Sequence, residues 1–182
     1  VLKSRQLGLS VVTVALAIRQ CIVYPNSSCL LVSHDQKSCN AIFDKLKQQW
    51  NSLPLWLKPK EIANNRQEIK MRNGSKITCC CAGNKEIARG DSLQLVHLSE
   101  FAFWKMPKKQ LNSITQALVP EGKIIIESTA NGLYYFHDLF FQAKNKENNY
   151  KAFFFNWIDG STLFKKDYVE AVKIYRATHE NK

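Results

Sequence analysis

The apolar positions of this chain fall into short runs and stripes that alternate along its length. Residues 10 to about 22, through VVTVALAI, predict a buried helix. Cys29 to Ser33, set off by Pro25-Asn-Ser-Ser28, predicts a buried strand. From Gln36 to Trp50 the apolar residues Cys39, Ile42, Phe43, Leu46 and Trp50 recur at helical spacing, one stripe of an amphipathic helix. Pro54 and Pro59 break the chain into a loop. Residues 67 to 82 predict a β-hairpin: Ile69 and Met71 alternate with charged residues, Asn73-Gly74 supplies the turn, and Ile77 to Cys81 returns.

A loop, AGNKEIARGDS, leads to an apolar strand from Leu93 to Leu98. A helix near Lys109 to Leu118 and a buried strand from Lys123 to Glu127 follow. A helix from Gly132 to about Lys144, a strand from Lys151 to Asn156 and a helix from Lys165 to about Arg176 complete the pattern. Strands alternating with helices imply an α/β chain with a largely parallel sheet covered on both faces. No internal repeat and no linker divides the chain, so residues 1–182 are read as a single domain. Ligands of such sheets bind at the carboxyl ends of strands, which directs attention to the residues just after Leu2, Leu98 and Glu127.

Composition adds direction. Hydrophobic residues make up 45% and charged residues 23%, an ordinary globular balance that argues against disorder. The formal net charge of +11 favours a polyanionic partner such as nucleic acid or nucleotide. Cys21, Cys29, Cys39 and the run Cys79-Cys80-Cys81 contain no C-x-x-C pair and no zinc spacing. They are read as packing residues of a protein kept in a reducing compartment. The apolar run from Val11 to Ile18 is too short to span a bilayer, and no secretory signal is recognisable.

Three segments carry candidate chemistry. The first is KSRQLGLS, Lys3 to Ser10, just before the first helix. It resembles the end of a phosphate-binding loop, G-x-x-x-x-G-K-[ST], except that Leu9 stands where the lysine belongs and Lys3 where the first glycine belongs. Binding phosphates takes backbone N–H groups, a helix N-terminus, a cation and a magnesium-binding hydroxyl. Gly8 permits close backbone approach, Ser10 offers the hydroxyl, and Lys3 and Arg5 offer cations. A basic turn with Ser10 as an ordinary helix cap fits the same residues. The second segment, Leu93-Gln-Leu-Val-His-Leu-Ser99-Glu100, ends an apolar strand on a carboxylate that could orient or deprotonate a water, or simply sit at the surface. The third, Glu127-Ser-Thr-Ala-Asn-Gly132, places small polar residues where they could sense a γ-phosphate, or form a tight turn at Asn131-Gly132. His97 is read as packed within its strand. Phe101, Phe103, Trp104 and Trp157 are read as core, and Lys105, Lys108 and Lys109 as a solvated face or a DNA-backbone contact.

Loop, acidic strand and polar strand end, in this order, resemble the ATPase domain of the large terminase subunit, the motor that packages DNA in tailed bacteriophages. KSRQLGLS resembles that family's deviant Walker A, K-x-x-x-x-G-x-S; LQLVHLSEFAFW resembles its Walker B; ESTANG resembles its coupling motif; and FFFNWIDG resembles the aromatic strand near the domain's end. The resemblance covers nearly the whole chain. It implies a three-layer P-loop NTPase fold of the ASCE-like type, with a β-hairpin insertion. It implies ATP and Mg2+ as ligands. Lys3, Ser4, Arg5, Gln6, Leu7, Gly8, Leu9 and Ser10 would surround the phosphates, with Lys3 on the β/γ-phosphates. Ser10 and Ser99 would be the magnesium contacts. Glu100 would be the catalytic carboxylate, Arg89 an arginine acting on a neighbouring subunit, and Ser128, Thr129 and Asn131 the coupling residues. Implied partners are double-stranded DNA, a homo-oligomeric ring, the portal and the small terminase subunit, with no membrane, in the cytoplasm of a bacterial host.

The departures set the rivals. Ser99 replaces the Walker B aspartate, as in some relatives. The sequence starts without methionine, so the first strand is expected to be truncated. The family's adenine-contacting segment and its nuclease domain have no counterpart here. An inactive prophage remnant that keeps a nucleotide- or DNA-binding fold is the alternative. A helicase-type ATPase would require a second motor domain.

Overall fold

The computed structural model describes residues 1–83, 88, 90, 92–163 and 166–179. Its elements run β1 (Leu2–Lys3), α1 (Leu9–Val23), β2 (Ser28–Ser33), α2 (Gln36–Ser52), β3 (Glu61–Asn64), β4 (Glu68–Met71) and β5 (Lys76–Cys81). Then come β6 (Leu93–Ser99), α3 (Pro107–Gln116), β7 (Leu118–Glu127), α4 (Tyr135–Lys144), β8 (Phe154–Phe155) and α5 (Lys166–His179).

Every position of β2 is buried, because the strand is paired on both edges, parallel to β5 and to β6. Its side chains divide with the two-residue period of a strand: Cys29 and Leu31 enter one core layer, Leu30 and Val32 the other. Val14, Ala17 and Ile18 of α1 and the predicted stripe of α2 close the first layer. Leu111 and Ile114 of α3, Phe136 of α4, and the buried aromatics Phe101 and Trp104 close the second. Helices, sheet and helices make three layers, as the alternation of elements requires. The same period divides the cysteine run, with Cys79 and Cys81 on the first layer and Cys80 on the second, and all the cysteines are free.

The strand order is β3-β4-β5-β2-β6-β7, with β5, β2, β6 and β7 parallel and β3 and β4 an antiparallel insertion. Gly74 makes the hairpin turn at φ 82°, with its N–H donating to the Met71 carbonyl at 3.1 Å. β1 pairs in parallel with β8 on one side. On its other side the Lys3 N–H donates to the Ser128 carbonyl, and the Ser128 N–H donates to the Val1 carbonyl, both at 3.1 Å. β1 therefore continues the sheet beyond β7, and β7 stands between the loop-bearing β1 and the acidic β6. β1 is two residues long and paired on both edges.

Several boundaries differ from the sequence pattern. β3 was not visible in the sequence between Pro59 and the hairpin. It is tied to α2 by the Trp50 indole N–H, which donates to Glu61 Oε1 at 2.6 Å. β7 begins at Leu118 rather than Lys123, and the strand expected over 151–156 is only Phe154–Phe155. α4 starts at Tyr135 because Gly132 is a turn residue at φ 69°, where a Cβ would meet the Tyr134 ring at 2.6 Å. Among the described residues, no helix is long and apolar enough to cross a membrane.

Candidate active site

The carboxyl ends of β1, β6 and β7 bring together Lys3, Glu100 and the Ser128–Asn131 segment. Lys3 is the last residue of β1 and is 9% exposed. Its ammonium lies 3.0 Å from Glu127 Oε2 and 3.4 Å from Glu100 Oε1. The Glu127 contact is an ion pair whose angle falls short of a hydrogen bond.

Glu100 follows β6 in the left-handed region, at φ 50° and ψ 46°. Such a backbone costs a non-glycine residue about 1–2 kcal/mol and turns the carboxylate toward the neighbouring strand ends. Glu100 Oε2 accepts from the Thr129 N–H at 3.2 Å and from the Thr129 hydroxyl at 3.1 Å. Ser128 Oγ, fully buried, lies 3.5 Å from the same oxygen and accepts the Ala102 N–H at 3.1 Å. Asn131 is exposed and donates to the Ala102 carbonyl at 3.2 Å.

The Lys3–Gly8 loop reaches α1 through two left-handed residues, Gln6 at φ 63° and Gly8 at φ 73°. Gly8 caps the helix without a side chain, so Ser10 lies inside the first turn and is not its cap. Among the described residues, no acceptor meets the backbone N–H groups of Arg5, Gln6 and Gly8, and Ser4 Oγ is buried without a hydrogen-bond partner. A concave set of unpaired N–H groups at a helix start fits an anion. Leu7 and Leu9 are half-buried and line a small cavity of about 180 Å³ with Lys3, Val12 and Phe155, while Arg5 is exposed.

Under the loop, the face of β6 toward α1 carries His97 and Ser99. Ser99 and Glu127 are register partners, and the Ser99 hydroxyl donates to Glu127 Oε1 at 2.7 Å. His97 Nε2 is 3.3 Å from the same oxygen, and Nδ1 is 3.2 Å from Thr13 Oγ1 on α1. Burial by itself would raise the Glu127 carboxyl, but hydrogen bonds and charge from His97, the Lys3 ammonium and the Ser99 hydroxyl hold it at about 2.

No family model matches the sequence. Solved structures are similar over most of its length. The HK97 bacteriophage large terminase matches with a TM-score of 0.75 at 14% identity, over 98% of this chain and 43% of that one. The large-terminase ATPase domain of Thermus phage P74-26 matches at 0.60 and 16% identity, over 91% of this chain and 82% of that domain. The fold is that of a large-terminase ATPase domain. A third large terminase of the same fold, from another thermophilic bacteriophage, matches at 0.61 and 15% identity over 95% of this chain, and was solved in complex with ADP. The chain spans 43% of the HK97 terminase and 42% of the ADP-bound one.

Within this terminase fold, Lys3, Glu100, Ser128 and Thr129 converge as the motifs suggested. Arg89 lies outside the described residues. Phe101 and Trp104 are core, as expected, but Phe103 and Trp157 are 39% and 40% exposed. Among the described residues, no cluster of His, Cys, Asp or Glu could hold a metal by itself. Magnesium is commonly held by few protein groups together with substrate phosphates, and the Ser10 hydroxyl in the first helical turn fits that sparse set. Ser99 gives its proton to Glu127, which leaves its oxygen lone pairs free for a cation. Sequence reasoning gave Glu127, His97 and Thr13 no role at the site. The available signal was the alternation of Leu95, His97 and Ser99 toward α1 and a carboxylate ending a run of isoleucines.

Proposed function

We propose that the chain is the ATP-hydrolysing motor domain of a phage or prophage large terminase, which translocates double-stranded DNA into a procapsid. The observation that carries this reading is the convergence of Lys3, Glu100 and Thr129 from three strand ends, beside a loop whose Arg5, Gln6 and Gly8 N–H groups meet no acceptor among the described residues. ATP phosphates would take the loop from Lys3 to Ser10, with Ser4, Arg5, Gln6, Leu7, Gly8 and Leu9 forming its wall. Mg2+, held by Ser10 and phosphate oxygens, would neutralise phosphate charge, with Ser99 as a second candidate contact.

Glu100 has the role of orienting and deprotonating the attacking water. One of its oxygens is held by Thr129 and approached by Ser128, so any movement of the end of β7 moves the carboxylate. That contact gives the Ser128–Asn131 segment a direct means of coupling hydrolysis to motion. Arg89 is proposed to act on the site of a neighbouring subunit in a homo-oligomeric ring, where a trans-acting cation stabilises transition-state charge.

DNA would be gripped through its phosphates, with binding that is independent of sequence and weakened by salt. The net charge of +11 and the exposed Lys105, Lys108 and Lys109 support that partner. The portal and the small terminase subunit would be its other partners, in the bacterial host cytoplasm. The test is Mg2+-dependent ATP hydrolysis by the full chain, alone and with double-stranded DNA. A chain that binds nucleotide or DNA and turns over no ATP under either condition would favour the inactive prophage remnant.

A further inference from the structure

Beneath the phosphate loop lies a buried glutamate–histidine pair to which the hydrolytic reading assigns no task. Glu127 and His97 are both fully buried, with His97 Nε2 3.3 Å from Glu127 Oε1. The other oxygen of Glu127 faces the Lys3 ammonium at 3.0 Å. Thr13 Oγ1 lies 3.2 Å from His97 Nδ1 and 3.5 Å from Nε2, and 3.1 Å from the Ser10 carbonyl.

Three groups converge on the Glu127 carboxylate: the Ser99 hydroxyl at 2.7 Å and His97 Nε2 at 3.3 Å meet one oxygen, and the Lys3 ammonium at 3.0 Å faces the other.

We propose that Glu127 and His97 are the positioning pair of the hydrolytic site: Glu127 seats the Lys3 ammonium beside Glu100, and His97 braces the Glu127 carboxylate and ties it to Thr13 on the phosphate-loop helix. This rests on the ATPase reading above. Because the Lys3 contact with Glu127 is an ion pair and not a hydrogen bond, the ammonium keeps its donors for Glu100 and for an incoming phosphate. Glu127 and the Ser128–Thr129 segment are consecutive residues, so one movement at the end of β7 shifts the seat of the cation and the hold on the carboxylate together.

The test reads ATP hydrolysis. Glu127→Gln and His97→Gln each lower kcat about tenfold or more, with a smaller change in KM, and Glu127→Asp recovers part of the loss. Thermal midpoints measured alongside separate this from unfolding. A variant that is less stable but hydrolyses ATP at the unsubstituted kcat overturns the positioning role. If the unsubstituted chain hydrolyses no ATP, the ATPase reading fails and the positioning role with it, whereas an active unsubstituted chain with equally active variants overturns the positioning role alone.

Discussion

Thr129 donates both its backbone N–H and its hydroxyl to a single oxygen of Glu100, at 3.2 and 3.1 Å. The opposite oxygen faces Lys3 at 3.4 Å, so the carboxylate is held from β7 on one side and from β1 on the other. Thr129→Val keeps the N–H contact and removes the hydroxyl. Its expected cost is about 1.5–3 kcal/mol of stability, the range for a hydrogen bond to a charged group. Turnover should fall about tenfold through loss of carboxylate orientation, with KM little changed. Urea unfolding and steady-state kinetics on the same preparation check both parts.

Lys3 serves two carboxylates, one of them fully buried. Lys3→Ala should abolish turnover and also destabilise the fold by about 3–5 kcal/mol, because it leaves Glu127 buried without its lysine. Lys3→Arg keeps the charge and should retain most of the stability while losing turnover, since a planar guanidinium does not reproduce the ammonium's contacts. Arg5, exposed at the outer turn of the loop, should tolerate alanine with no change in stability beyond about 0.5 kcal/mol. If Lys3→Ala remains active while Arg5→Ala is inactive, the cation has been assigned to the wrong end of the loop.

The hold on Glu127 sets an acid limit to stability. Its carboxyl falls from an ordinary value of 4.5 to about 2 in the folded chain, where burial is outweighed by His97, Lys3 and Ser99. A folded value below the unfolded one means stability that is fully present above about pH 4.5 and lost as pH falls toward about 2. Glu61 contributes with the same sign: the Trp50 indole, the Asn64 amide and Lys58 lower it to about 2. Urea midpoints measured from about pH 6 down to about pH 2.5 should fall most steeply below about pH 4.5, and Glu127→Gln should flatten that slope.

Much of the architecture could be read in the sequence. The stripe of α2 and the apolar β2 are encoded locally, by periods of about 3.6 and 2 that survive in any context. Lys3, Glu100 and the ESTANG segment were legible because charged and small polar residues stand where apolar strand patterns end. β3 was not legible: Glu61–Asn64 has a single exposed apolar side chain, Ile62, and is held by its pairing to β4 and by Trp50. The role of Glu127 and His97 was hidden for a different reason. Each looks like an ordinary strand residue until the register places Ser99 opposite Glu127 and turns His97 toward α1.

Gly8 sits at φ 73° with nothing within 4 Å of where a Cβ would point. Gly8→Ala therefore meets no neighbour, and its cost is the left-handed backbone alone, about 1–2 kcal/mol. Denaturant unfolding should show that loss, and KM for ATP should rise if phosphates pack against this turn. An unchanged KM together with the expected stability loss would remove Gly8 from the phosphate contact.

Glu100→Gln in the full chain is the most direct test of the hydrolytic site, because it removes one charge at constant shape. With ATP and Mg2+, the variant should bind nucleotide as the unsubstituted chain does while hydrolysis falls about a hundredfold or more, the contribution of a positioned general base. Hydrolysis by Glu100→Gln at the unsubstituted rate would contradict the assignment of this carboxylate, and with it the site built from Lys3, Glu100 and Thr129.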